Sequence, residues 1–231
     1  MNKLLLAVTI GSSALVLANA EAAQLNGGDI LIRAGIASVQ PDVDSGVPTL
    51  DGTSLAGTAN AIDVGDNSQF GISGTYMFNS QWGIEVLAAT PFEHDISIDG
   101  GALDGAPVGT TKHLPPTVSA QYYFMGHSDS SWQPYVGLGL NYTTFFSQEV
   151  DPAFEAALGA TGASLDLDDS FGVAVQFGLD YYINDSWFVN ASAMLAQIEA
   201  DATIELEPSG TVAVSADIDP WVYRLNVGYR F

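Results

Sequence analysis

From Trp221 to Phe231 the chain alternates, residue by residue, between large apolar side chains and mostly smaller or polar ones. Trp221, Tyr223, Leu225, Val227, Tyr229 and Phe231 form one series, with Val222, Arg224, Asn226, Gly228 and Arg230 between them. A period of two puts each series on its own face of a β-strand. The alternation recurs upstream. Phe171, Val173, Val175, Phe177, Leu179 and Tyr181 alternate with Gly172, Ala174, Gln176, Gly178, Asp180 and Tyr182, and Val136, Leu138, Leu140 and Tyr142 alternate with Gly137, Gly139, Asn141 and Thr143. A soluble sheet would turn such an apolar face inward. A membrane barrel turns it outward to lipid and keeps small and polar side chains inside. Residues 221–231 have the length a tilted strand needs to cross a bilayer.

The pattern predicts eight strands, near residues 29–39, 68–78, 82–92, 112–124, 132–146, 168–183, 187–200 and 216–231. Connectors alternate in length. Those at 79–81, 125–131 and 184–186 are short, and those near 40–67, 93–111, 147–167 and 201–215 are long. Short periplasmic turns and long extracellular loops belong to an antiparallel up-and-down transmembrane β-barrel. Both termini are then periplasmic. Asn79-Ser80-Gln81-Trp82, Asp129-Ser130-Ser131-Trp132 and Asn184-Asp185-Ser186-Trp187 each set a polar turn before a Trp. Trp82, Trp132 and Trp187 therefore fall at one membrane interface together with the terminal Phe231, and Trp221 falls at the other. In the third loop, Asp151-Pro152 followed by Ala153-Phe154-Glu155-Ala156 reads as a short capped helix.

The first residues stand apart from this pattern. Met1-Asn2-Lys3, an apolar run to Leu17 and then Ala18-Asn19-Ala20 form a secretory signal peptide, 1–20, with 22 as an alternative end. The barrel then occupies 21–231. The mature part contains no apolar stretch long enough for a spanning helix. Of 231 residues, 47% are hydrophobic, with 24 Gly and 9 Tyr, a composition that does not suit a disordered acidic chain. There are 27 acids and 5 bases, which excludes nucleic acid as a partner. Most of the acids fall in the long loops, as a solvated surface. The absence of Cys removes disulfides and thiolate chemistry.

Several segments carry a family resemblance. They are Ala88-Ala89-Thr90-Pro91-Phe92-x-His94, His113-Leu114-Pro115-Pro116-Thr117, the run from Pro134-Tyr135-Val136-Gly137 to Asn141-Tyr142-Thr143-Thr144-Phe145-Phe146, and Asp219-Pro220-Trp221-Val222 running to Gly228-Tyr229-Arg230-Phe231. In this order they resemble the OmpW family of small outer-membrane barrels, which includes the AlkL-type proteins. The resemblance implies an eight-stranded barrel in the Gram-negative outer membrane, surrounded by lipid and lipopolysaccharide. It also implies a narrow hydrophobic lumen and passive entry of small hydrophobic compounds. The terminal Phe resembles the signal read by the barrel-assembly machinery. The loops are more acidic than the family pattern suggests.

Alternation assigns the lumen independently. Arg33, Glu85, Asp180, Arg224 and Arg230 point inward, as do Gln69, Gln121, Gln176, Asn141, Asn190 and Asn226. Once the leader is removed, the bases are Arg33, Lys112, Arg224 and Arg230. Inward charges need partners, so an Arg–carboxylate plug is expected in the lower half, with Arg224 higher. The inward residues farther up, Leu87, Ala89, Pro91, Phe145, Met194 and Ala196, form an apolar pocket. Pro115 and Pro116 interrupt the fourth strand, because proline removes a ladder donor. Either the strand ends early there, or the wall breaks beside Pro91 and gives a lateral opening. The histidines His94, His113 and His127 carry no catalytic pattern, and no HExxH or phosphate-binding loop occurs. Neither an enzyme nor a metal or other cofactor is expected. The leading reading is passive uptake of a small hydrophobic solute, with lateral release as one route. The alternative is a sealed structural or surface-interaction barrel that acts through its acidic loops.

Overall fold

The computed structural model describes residues 24–231. The expected signal peptide lies outside the described residues. β1 (Ile30–Gln40) leads into a first loop that holds the short strands β2 (Asp44–Ser45), β3 (Thr49–Leu50), β4 (Thr53–Ser54) and β5 (Ala61–Val64). β6 (Asn67–Met77) and β7 (Trp82–Ala89) form a hairpin, and the second loop holds β8 (Phe92–Asp99) and β9 (Pro107–Leu114). After β10 (Thr117–Tyr123) and β11 (Trp132–Val150), the third loop carries α1 (Pro152–Ala157) and β12 (Gly162–Leu167). β13 (Ser170–Tyr182) and β14 (Trp187–Ala196) precede the fourth loop, with β15 (Glu199–Glu207) and β16 (Gly210–Asp217). β17 (Trp221–Arg230) pairs with both β14 and β1 and closes the ring.

The barrel is β1, β6, β7, β10, β11, β13, β14 and β17, eight antiparallel strands with no free edge. Its outer surface is apolar: Ile36, Phe70, Val118, Leu138, Leu140, Phe171 and Leu225 are all exposed, Leu225 at 70%. Its inner surface is polar, with Arg33, Thr75, Glu85, Gln121, Gln176, Asp180 and Arg224 buried. This is the burial order of a wall whose outer solvent is hydrocarbon.

The short turns are built alike. Asn79 Oδ1 accepts from the backbone N–H groups of Gln81 (2.8 Å) and Trp82 (2.9 Å), and Asn184 Oδ1 from those of Ser186 (3.0 Å) and Trp187 (2.8 Å). Ser130 does the same for Trp132 at 3.1 Å. Each Trp then packs on a Tyr of the neighbouring strand: Trp82 on Tyr122, Trp132 on Tyr181 and Trp187 on Tyr229, with ring centroids 4.5–5.0 Å apart. Tyr229 also meets Phe231 at 4.6 Å, which completes one aromatic belt.

The long connectors differ from the sequence expectation. They are largely sheet, not open loop. β8 and β9 prolong the wall, and β12, β15, β16, β3 and β4 make a second sheet. Along these extensions the faces exchange roles. Ile96, Ile98, Val108, Leu165, Leu167, Ile204, Leu206 and Val212 turn inward and pack with Phe154 of α1. Glu93 and Lys112 pair on the outside at 3.3 Å. Water is the outer solvent here, so the apolar face must go in. α1 is capped by Asp151, whose side chain accepts from the Ala153 N–H at 2.7 Å.

Candidate lumen site

The lumen is layered from the turn end to the loop end. Its floor is aromatic and aliphatic: Leu25, Leu31, Met77, Tyr123, Tyr135, Tyr182 and Phe188 are each at most 1% exposed. This layer was not legible from alternation, which gives a residue's face but not what its neighbours do. Two glycines make room for it. A Cβ at Gly178 or Gly228 would run into the ring of Tyr135 or Phe188 respectively.

Above the floor lies the charged layer. Arg33 donates from Nε to Asp180 Oδ1 (3.1 Å), from Nη2 to Asp180 Oδ2 (2.6 Å) and to the Tyr123 hydroxyl (2.7 Å), and from Nη1 to Thr75 Oγ1 (2.8 Å). Its guanidinium sits 5.4 Å from the ring centres of Tyr135 and Phe188. Glu85 lies 3.7 Å from Arg33 and 3.4 Å from Arg224. Arg224 donates further to Gln176 Oε1 (2.7 Å) and Ser192 Oγ (2.9 Å), and Gln176 donates to Glu85 Oε2 at 2.9 Å. Asn190 donates to Asp180 at 2.7 Å. Two guanidinium groups and two carboxylates thus balance, with their hydrogen-bonding capacity largely met, as low-dielectric burial requires. Arg33, Glu85 and Asp180 are 0–1% exposed, so the layer is buried from solvent.

The membership of this layer differs in one place from the sequence expectation. Arg230 does not join it. It lies below, beyond the aromatic floor, 3.8 Å from Asp29 and over the Tyr182 ring. Its position at the end of β17 puts it too close to the turn end to reach Arg33's partners.

Above the charges the lumen turns apolar. Ala37, Val39, Leu87, Phe92, Ala174, Met194, Ala196, Ile198 and Val222 are buried together. A cavity of about 20 Å³ lies among them, bordered by Leu87, Ala89, Met194 and Ala196 and by Ala88 and Pro115 of the wall. Pro91 is exposed and borders no part of it. It sits between β7 and β8, where the chain has left the inward-facing register. Phe145 lines a second cavity higher up, of about 110 Å³, enclosed by the apolar faces of all four loops. His113, Val39, Ile198 and Pro220 border both spaces. Loop residues form most of the upper cavity, so a reading that ended the barrel at the rim missed it.

Around Pro115 and Pro116 the wall changes partners. β10 pairs with β7 as far as Thr117↔Leu87, and β9 pairs with β8 from His113↔Phe92. Between these two positions Ala88–Pro91 and Leu114–Pro116 do not pair with each other. The strand expected at 112–124 is therefore two strands, β9 and β10. On its other side it stays attached, through Tyr142 N–H to the Pro116 carbonyl at 3.1 Å.

His94 and His113 face inward on β8 and β9 with their Nε2 atoms 3.0 Å apart, and His94 Nδ1 lies 2.5 Å from the Gly65 carbonyl. Burial lowers the pKa of both. His94 falls despite the Gly65 carbonyl, Asp66 and Asp95, and His113, with His94 beside it, falls to about 3. Among the described residues no three His, Cys, Asp or Glu side chains are grouped as a metal site.

Comparison with known proteins supplies the lineage. The OmpW family model matches residues 26–231. Outer membrane protein W of Vibrio cholerae is 46% identical over 224 residues, covering 95% of this chain and 94% of that protein. The crystal structure of OprG from Pseudomonas aeruginosa superposes with a TM-score of 0.83 at 39% identity, covering 92% of this chain and 99% of that one. Outer membrane protein AlkL of Ectopseudomonas oleovorans is more distant, 24% identical over 74% of this chain and 69% of its own length. With the closed eight-stranded wall and its apolar outer face, these likenesses identify the chain as a member of the OmpW family of outer-membrane β-barrels.

Proposed function

We propose that this barrel gives small hydrophobic molecules a passive route into the outer membrane. The observation that carries the reading is the stack of two apolar cavities above a packed charged layer. An apolar solute entering at the loop end leaves water, a gain of about 25 cal/mol per Å² buried. The charged layer and the aromatic floor block a straight path. The solute therefore leaves sideways, where Ala88–Pro91 and Leu114–Pro116 do not pair with each other, and passes into the surrounding lipid. In this reading the loops face outward beside lipopolysaccharide and both termini are periplasmic. The strand ending at Phe231 serves recognition by the assembly machinery. The barrel acts as a conduit and catalyses no reaction.

The test is uptake of labelled n-octane by cells carrying the protein, against cells with the same outer membrane lacking it. A clear excess supports the conduit. No excess, with the barrel folded at the surface, favours a sealed barrel acting through its acidic loops.

A further inference from the structure

The upper cavity is apolar except at Thr58 and one cluster: His94, Thr111 and His113. Thr111 and His113 sit two residues apart on β9, so both face inward, and His94 is the cross-strand partner of Thr111. All three are at most 5% exposed. Two of their polar atoms, His113 Nδ1 and Thr111 Oγ1, have no hydrogen-bond partner among the described residues. A buried polar atom without a partner is disfavoured, so a group that satisfied it would bind with advantage.

The hydrogen-bond chain fixes what that group must be. The Gly65 carbonyl can only accept, so His94 Nδ1 carries a hydrogen and donates to it. In a neutral ring His94 Nε2 is then a lone pair. It faces His113 Nε2, which must therefore carry the hydrogen of that contact. In a neutral His113 this leaves Nδ1 as an acceptor. Burial keeps both rings neutral near pH 7. The Thr111 hydroxyl, on the same inward face two residues away, can donate or accept.

We propose that the upper cavity selects an uncharged amphiphile with one hydroxyl on an apolar chain. The hydroxyl donates to His113 Nδ1, the Thr111 hydroxyl on the same face offers it a second partner, and the chain lies among Ile96, Leu165 and Ile204. This deepens the uptake reading and rests on it. A plain alkane enters the same cavity but leaves both atoms unsatisfied. A carboxylate, having no hydrogen to give Nδ1, is rejected.

The experiment uses the mature protein in phosphatidylcholine nanodiscs with ¹⁵N-labelled histidine and ¹³C-methyl-labelled isoleucine and leucine, titrated with n-octane, 1-octanol and octanoate. Binding is read from shifts of cavity residues such as Ile98 and Leu165, corrected for partition into protein-free nanodiscs. The expected result is 1-octanol binding roughly two- to tenfold tighter than n-octane, the range one net hydrogen bond supplies. The His113 Nδ1 resonance should move with 1-octanol alone. In His113→Phe the preference for 1-octanol over n-octane should vanish, and in Thr111→Val it should shrink. If n-octane and 1-octanol bind equally and Nδ1 does not move, the selectivity is overturned while the conduit stands. If neither binds, the conduit reading falls too. Zinc that shifts both Nε2 resonances, with no response of Nδ1 to 1-octanol, would make the pair a metal site and overturn the proposal. The Nδ1 response of the unsubstituted protein decides the matter even if a variant does not fold.

Discussion

Arg33 on β1 holds Asp180 on β13 from across the lumen, with Nε and Nη2 meeting the two carboxylate oxygens at 3.1 and 2.6 Å. The two residues are 147 positions apart in sequence, and two barrel strands, β17 and β14, stand between theirs in the wall. Such a fork fixes orientation as well as distance. It ties opposite walls together at the level where the lumen changes from apolar to aromatic.

Removing one member should be costly, because the other remains as a buried, unmatched charge. Arg33→Met or Asp180→Asn alone is expected to lower stability by about 3–5 kcal/mol. The double replacement should lose less than the sum. The check is a double-mutant cycle on urea unfolding in detergent or lipid, with heat-modifiable gel mobility to follow folding. Additive losses would show that the contact carries no coupling.

The histidine pair makes a separate prediction about pH. His113 has its pKa lowered to about 3, so near neutral pH it is uncharged in both the folded and the opened state. Below about 6.5, the usual histidine value, the opened state takes up a proton that the folded state refuses. Its contribution to stability is therefore whole above about pH 6.5 and is lost progressively down to about pH 3. Ring ¹⁵N shifts should follow His113 as neutral through pH 5. An inflection near 6.5 would mean that the ring meets water.

The unpaired stretch of wall can be closed from within. Ala89 is half-buried, borders the lower cavity and lies within the break. Ala89→Phe is expected to fill the passage toward Pro115 and reduce solute uptake severalfold with the barrel still folded. Undiminished uptake in a folded variant would point to a straight route through the charged layer.

Much of the wall was legible because one physical rule governs it. Lipid outside and a narrow interior force a period of two, and Phe171 to Tyr182 obeys it without exception in the apolar series. The same rule gave Arg33, Glu85 and Asp180 their common face. It could not tell that Arg230 falls beneath Tyr182, because height along the axis depends on stagger between strands, which no single strand encodes. It also failed at Pro91, where the chain crosses from β7 to β8 and alternation lapses. Above the rim the outer solvent is water and the apolar face turns inward, so Ile96, Leu165 and Ile204 enclose a cavity instead of meeting lipid. A single face assignment carried through both media hides that cavity. His94 and His113 stand 19 residues apart, and only the β8–β9 pairing brings their rings together.

If apolar solute passes through the apolar upper lumen, a charge placed at Met194 should stop it. Met194 is 2% exposed, borders the lower cavity and lies above the charged layer. Met194→Asp places a carboxylate that holds water in that space and removes much of the gain from burying a solute. Leu87→Asp does the same from the facing wall. The interstrand hydrogen bonds and the outward apolar face are untouched, so the barrel should still assemble. The measurement is n-octane uptake by cells carrying each variant, with surface expression and heat-modifiable mobility as folding controls. The expected result is uptake close to that of cells lacking the protein, from a barrel that is folded and present. Folded variants that take up n-octane as fast as the unmodified protein would contradict it.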